Sequence, residues 1–321
     1  MESMPRVLLA LLACIVFSGA APAQTYPARP IRLVVAFAPG GPADIIARLV
    51  AQKLGDGLGQ AVIVENRGGA GGNLAAGFVA KAAPDGHTML VTTTAFAINP
   101  GLSPNAGYDP LKDFSGVIVA ASAPHILGTY PGLGVSTLQE FIVAARTGRF
   151  SYASAGTGTG PHLTAEYLLR TLSGLDITHV PFSGGGPAAG AVAGGQVELL
   201  TTVLPTALAL ARGGKIKLLA VTSRNRIPGL PDVPTVGESG FPGYEDSTWV
   251  AMLAPSATSP EIVNRLNGDI NKILQGAEIK ERLSGLGFES TPNSAPQFSD
   301  YLRTEVAKWG RIVRESGIKA N

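Results

Sequence analysis

The chain has 321 residues, 45% of them hydrophobic and 15% charged, and its 25 Lys+Arg against 23 Asp+Glu leave a formal net charge of +2. That balance excludes a disordered chain and a polybasic nucleic-acid binder. Its 41 Gly and 24 Pro make about one fifth of the chain, below the roughly 25–30% that marks low complexity, so glycine is used locally, and the length favours two domains over one.

Arg6 supplies a positive start, Val7 to Phe17 is an unbroken apolar run, and Ala21-Pro22-Ala23 is an Ala-x-Ala site. This pattern predicts a signal peptide, residues 1–23, cleaved after Ala23 to leave an exported chain. The run is shorter than the about 20 apolar residues needed to span a bilayer. The one cysteine, Cys14, lies inside it. It reads as an h-region residue lost on cleavage; the other reading, a lipidated lipoprotein cysteine in Leu11-Leu12-Ala13-Cys14, is opposed by the apolar Ile15-Val16-Phe17 and by the later cleavage site. Neither leaves a thiol pair for a disulfide.

A strand over Ile31 to Phe37 breaks at Pro39-Gly40-Gly41 and gives way to a helix from Asp44, with apolar residues at 45, 46, 49, 50 and 54. The unit recurs as a strand over Ala61 to Asn66, a turn over Arg67 to Gly72 and a helix over Asn73 to Ala83. A third strand runs from His87 to Thr93. Phe114 to Ala121 reads as a strand or crossover and Ser136 to Thr147 as a polar helix. Ser151 to Ser154 is a strand leading through a glycine turn to a helix that starts at His162, with Leu163, Tyr167 and Leu168 as its core stripe. Asp176 to Pro181, the turn Phe182 to Pro187 and a short helix Ala188 to Ala193 repeat the unit a fourth time. Strands over Gln196 to Val203, Lys215 to Thr222 and Thr248 to Leu253, a Pro-rich connector over Ile227 to Pro234, and helices over Pro260 to Gln275 and Ala295 to Ser316 complete the chain. Alternation of this kind predicts a mostly parallel α/β sheet.

The four glycine turns carry the chemistry. A helix start leaves backbone N–H groups without partners at the positive end of the helix dipole, and glycine lets a ligand oxygen approach them. In an open parallel sheet such turns lie at the carboxyl ends of the strands, where ligands bind. Enzyme motifs are wanting. Gly69-Ala70-Gly71-Gly72 lacks the third glycine of a dinucleotide fingerprint, Tyr152 replaces the first glycine of a G-x-S-x-G elbow around Ser154, and His87, His125, His162 and His179 have no metal-ligand spacing. No cofactor or metal is expected. Asp44 and Glu198 would make an acid–base pair only if the fold joined them; capping or hydrogen-bonding roles are the simpler reading.

Phe37-Ala38-Pro39-Gly40-Gly41-Pro42-Ala43-Asp44, Val64-Glu65-Asn66-Arg67-Gly68-Gly69-Ala70-Gly71-Gly72-Asn73, Ala82-Ala83-Pro84-Asp85-Gly86, Tyr152-Ala153-Ser154-Ala155-Gly156 with His162, Val180-Pro181-Phe182, and Pro231-Asp232-Val233-Pro234 resemble, in order, the Bug family. These are extracytoplasmic solute receptors of tripartite tricarboxylate transporters. The resemblance implies a type II periplasmic-binding-protein fold: two α/β domains hinged around a ligand cleft, with 24–121 and 246–321 forming domain 1 and 122–245 domain 2. It implies a monomeric periplasmic receptor that delivers a small organic carboxylate to membrane permease subunits, with no nucleic-acid partner. Phe37, Pro39, Gly40, Gly41, Asp44, Gly71, Gly72 and Asn73 would hold a carboxylate. Thr93, Thr94, Ala155, Gly156, Thr157, Gly158, Thr159, His162, Phe182, Ser183, Gly184, Gly185 and Thr202 would close on the rest of the ligand.

The sequence departs from the family pattern where Ala36 and Gly68 stand in place of Pro, and where Thr201-Thr202-Val203 replaces a Phe-Asp-Asn common among relatives. Loss of that carboxylate and amide points to a ligand without an amine, aromatic or otherwise apolar at its far end. A receptor for a phosphonate or sulfonate of an ABC system is the alternative among binding proteins, and an exported α/β hydrolase the alternative outside them.

Overall fold

The computed structural model describes residues 26–103 and 105–316; the leader, the cleavage site after Ala23, and Cys14 lie outside them. β1 (Ile31–Val35), β2 (Val62–Asn66) and β3 (Thr88–Thr93) pair in parallel, each followed by a helix: α1 (Pro42–Leu58), α2 (Asn73–Ala80) and α3 (Ala95–Leu102). α3 was not anticipated, because Pro100 and Gly101 sit inside it. β4 (Phe114–Thr129) is far longer than the expected Phe114 to Ala121. It is followed by α4 (Leu138–Thr147), β5 (Ser151–Ser154), α5 (Gly160–Ala165) with its π-helical continuation Glu166–Leu172, β6 (Thr178–Pro181), α6 (Gly185–Ala193), β7 (Leu199–Val203), α7 (Leu204–Arg212), β8 (Lys217–Val221) and β9 (Ser247–Pro255). α8 (Pro260–Gln275), α9 (Ala277–Gly285) and α10 (Ala295–Ser316) close the chain.

The strands run in the order β2-β1-β3-β9-β4-β7-β5-β6, with β8 on the other side of β4. β9 is antiparallel to both its neighbours and β4 to β7 and β8, so the sheet is mixed rather than mostly parallel as the alternation predicts. β4 is the common member. Its first stretch, through Pro124, pairs with β9; from His125 onward it pairs with β7 and β8. The register shifts twice along β9, and Pro124 sits where the partner changes, a place where a missing N–H is tolerated.

Two bodies of core flank this crossing. One joins Leu33, Ile46, Val50, Leu90, Phe96, Met252, Leu266, Ile270 and Phe298. In the other half of the sheet, adjacent residues face opposite ways, as strand geometry requires. Leu127, Tyr152, Leu199 and Ala220 pack under α4 and α5, while Ile126, Ala153, Leu200 and Val221 pack under α6 and α7. The helix after His162 departs from the expected stripe. Leu163 and Leu168 are buried, but Tyr167 is 48% exposed and Leu169 takes the inward place. From Glu166 the hydrogen bonds are π-helical, so each residue advances less than 100° and the 3.6-residue stripe slips.

Candidate functional site

β1, β2, β3, β5, β6 and β7 all end at residues that lead into a helix start. The N-caps of α1, α2, α3, α6 and α7 are Gly41, Gly72, Thr94, Gly184 and Val203, and none supplies a side-chain cap. α5 differs: Thr159 accepts the N–H of His162. Several first-turn backbones are therefore left bare at the positive ends of their helices.

The turns of the two halves touch. Ala38 N–H donates to Ser183 O at 3.2 Å. A methyl placed on Gly40 would lie 3.8 Å from Gly186 Cα, and one on Gly41 would lie 3.9 Å from Gly185 N. A methyl on Gly156 would meet Gly71 Cα at 3.8 Å, and one on Gly71 would collide with Thr157 O. The lips of the cleft are shut. Gly71 and Gly72 have φ of +63° and +101°, a backbone that a side chain would strain.

The structure places the candidate side chains in two groups. Asp44 does not project a free carboxylate. It accepts Gly40 N–H at 3.0 Å, Arg48 Nε at 3.0 Å and Nη2 at 2.9 Å, and Asn66 Nδ2 at 2.9 Å. Burial alone would raise its pKa, but these hydrogen bonds and the Arg48 charge hold it below the usual carboxylate range. Asn66 also donates to Phe37 O at 3.0 Å, so the Pro39–Gly41 turn is braced from both sides. Glu198 is likewise committed elsewhere, accepting Ser151 N–H at 2.8 Å and its hydroxyl at 2.6 Å.

Asn99, which sequence reasoning missed, joins the halves. Its amide donates to Gly71 O and to Asn73 Oδ1, both at 2.9 Å. Its Oδ1 occupies the space that a side chain on Gly158 would need. A one-residue reading had no signal for it, since it lies in the unanticipated α3.

His162 accepts Gly158 N–H on Nδ1 at 3.3 Å, so its neutral ring carries the proton on Nε2. Its ring stacks on His179 at 4.2 Å, and His179 stacks on Tyr152 at 4.8 Å. Burial first, then His179 and Arg170, push His162 down to about 3; burial and then Arg170 push His179 to about 4. Both are neutral near pH 7. Tyr152 donates to Glu166, which also pairs with Arg170 at 3.2 Å. The sequence offered no nucleophile–base pair, yet Ser154 Oγ lies 2.7 Å from His179 Nε2. Ser154 is wholly buried and its Oγ accepts Gly156 N–H at 3.2 Å, so the pair braces the turn that carries Gly156.

His125 is also fully buried, where β4 changes partners. Thr164 Oγ1 donates its one proton to Asp246 Oδ2 at 2.6 Å, so it accepts His125 Nδ1–H at 2.7 Å; Nε2 then accepts Thr248 Oγ1–H at 2.6 Å. One tautomer satisfies the whole chain across the two halves. Burial outweighs the Asp246 charge and lowers the pKa of His125. Beside this crossing lies an open cavity of about 980 Å³ lined by Tyr167, Tyr244, Glu245, Asp246, Lys308 and Trp309 among others. It contains none of the glycine-turn residues and its two carboxylates disfavour an anion.

The model of the tripartite tricarboxylate transporter family receptor matches residues 46–318. Protein BugT of Bordetella pertussis is 36% identical over 324 residues, covering 99% of each chain. Among solved structures, R. palustris Rpa4515 with adipate is 36% identical with a TM-score of 0.88, covering 92% of this chain and 99% of its own. MatC of Rhodopseudomonas palustris with bound malate is 35% identical with a TM-score of 0.83, covering 90% and 100%.

Proposed function

The chain belongs to the tripartite tricarboxylate transporter receptor family and has the two-lobed α/β fold of its solved relatives, and on that premise we propose that it is a periplasmic receptor that closes on a small organic carboxylate and hands it to membrane permease subunits. The observation that carries this reading is the meeting of uncapped helix starts from both halves at the closed lips of one cleft. No cation is needed there: backbone N–H groups and helix dipoles favour a carboxylate, and His162 and His179 stay neutral. The adipate and malate in the two relatives accord with this.

Pro39 to Gly41, Gly71 to Asn73 and Thr93-Thr94 would bind one end of the ligand, and the 155–159 and 182–185 turns with Thr202 the other. Gly40 N–H and Asp44 act indirectly, by fixing the first turn. The domains would divide near 121/122 and 245/246, close to where β4 changes partners and β9 begins. The chain would act as a monomer, exported by its leader, without catalysis.

The test is a thermal-shift screen of the purified protein against mono-, di-, tri- and aromatic carboxylates, amino acids, phosphonates and sulfonates. A ligand at 100 times its Kd adds about 2.7 kcal/mol of stability. A carboxylate shift that disappears in Gly41→Val, where a small side chain fits the fold but covers the first turn of α1, supports the cleft. A shift from sulfonates or phosphonates alone would replace the proposal with the ABC alternative.

A further inference from the structure

The side chain of Asn99 has only one orientation open to it. Asn99 is 4% exposed in α3, and its Nδ2 lies 2.9 Å from both Gly71 O and Asn73 Oδ1. A backbone carbonyl only accepts, so the atom that faces Gly71 O must be the NH2. The same NH2 faces the Asn73 side chain, which must therefore turn its oxygen toward Asn99. Asn99 Oδ1 is seated as well, under the opposite lip, where a methyl on Gly158 would lie 1.8 Å from it. The other end of the Asn73 amide is thereby decided. Its Nδ2 is turned away from Asn99, makes no hydrogen bond among the described residues, and is not sealed in the interior, since Asn73 is half-buried.

We infer that Asn99 is a positioning residue of the cleft: it holds the Asn73 amide so that its NH2, and not its oxygen, is left for a ligand carboxylate. The inference rests on the receptor reading above and deepens it. Asn73 opens α2, and the N-cap before it, Gly72, has no side chain. Turned as it is, Asn73 adds a side-chain donor to the bare backbone N–H groups of the same helix start. Turned the other way, its oxygen would stand among those donors and meet an anion with lone pairs. The two ends of an asparagine amide are nearly equal in shape, so packing alone does not choose between them, and a second polar residue must. Asparagine at 99 makes that choice because one atom carries two donors for two acceptors. Aspartate there would set acceptors against acceptors, and alanine would leave Asn73 free to turn.

The experiment has two arms. The first needs no ligand: hydrogen exchange of the Asn73 and Asn99 side-chain amides, followed by NMR in isotope-labelled protein and assigned through their backbones. Asn99 should exchange slowly and Asn73 fast, and Asn73 should become slow in Asn99→Asp, where its NH2 must turn to the new carboxylate. A slow Asn73 amide beside a fast Asn99 amide in the wild type would overturn the inference. The second arm is calorimetric titration with adipate and with malate, the acids in the two solved relatives. Asn99→Ala and Asn73→Ala should each weaken binding by about tenfold, the order of one hydrogen bond to a charged group. The double variant should bind no more weakly than Asn73→Ala alone. If Asn99 only braced the Gly71 turn, the two losses would multiply. That result, or wild-type affinity in Asn99→Ala, would overturn the inference and leave the receptor reading intact. Wild-type protein that bound neither acid would count against the receptor reading, and the exchange arm would still decide the role of Asn99. The wild-type exchange rates stand as a test even if a variant does not fold.

Discussion

Asp44 shows how a residue's place and hydrogen-bonding role can be legible in the sequence while its partners are not. Its position in the first turn of α1 was visible, since a carboxylate there suits the helix dipole. Its partners were not: Asn66 comes from another strand, and only the parallel pairing of β1 with β2 brings it alongside. Asp44→Asn should lower stability by about 1–2 kcal/mol in urea denaturation, a figure reduced for the half-exposed Arg48. Because the folded carboxyl titrates below its unfolded value, its contribution is present above the unfolded pKa and is lost as the pH falls through the folded one. The variant should therefore lose less stability than the wild type on acidification below about pH 4. The same limit explains Asn99. A lone polar residue in an apolar segment gives no motif, and its meaning comes from what another element brings to it.

Elements with strong local grammar were legible, and those without it were not. Strand, glycine turn and helix announced α1 and α2 through apolar period and turn residues. α3 and α7 carry proline near or within them, which reads as punctuation, and α7 is short and alanine-rich. The slip at Tyr167 has a geometric origin in the π-helical turn, which no residue type enforces. The start of that helix makes a sharper test. Thr159 accepts His162 N–H at 3.4 Å and donates to Gly156 O at 2.8 Å. Thr159→Ala should cost about 1 kcal/mol of stability by urea denaturation and loosen the turn that carries Gly158, seen as faster amide exchange at residues 156–158.

On the scale of the whole molecule, His125, His162 and His179 are kept neutral by burial. Their folded pKa values lie below the unfolded value near 6.5, so the unfolded chain takes up protons first as the pH falls. Stability should decline from about pH 6.5 toward pH 4, each such group adding up to about 1.4 kcal/mol per pH unit. Replacing one, His179→Gln, should flatten the slope of stability against pH in that window by up to one proton, whatever it does to stability at pH 7. A slope unchanged in the variant would mean that His179 does not contribute.

The place of β9 between β3 and β4 has a consequence for how the protein is made. Both neighbours are synthesised well before residue 247, yet neither can pair across the gap until the intervening lobe has been completed and the chain returns. A nascent chain halted at Asp246 would carry two open strand edges over an unfinished core. We expect such a truncation to be cut rapidly by protease within residues 31–124, while the full chain resists. Order of synthesis and order of assembly are thus uncoupled: the first lobe begun is completed only when the end of the chain is delivered.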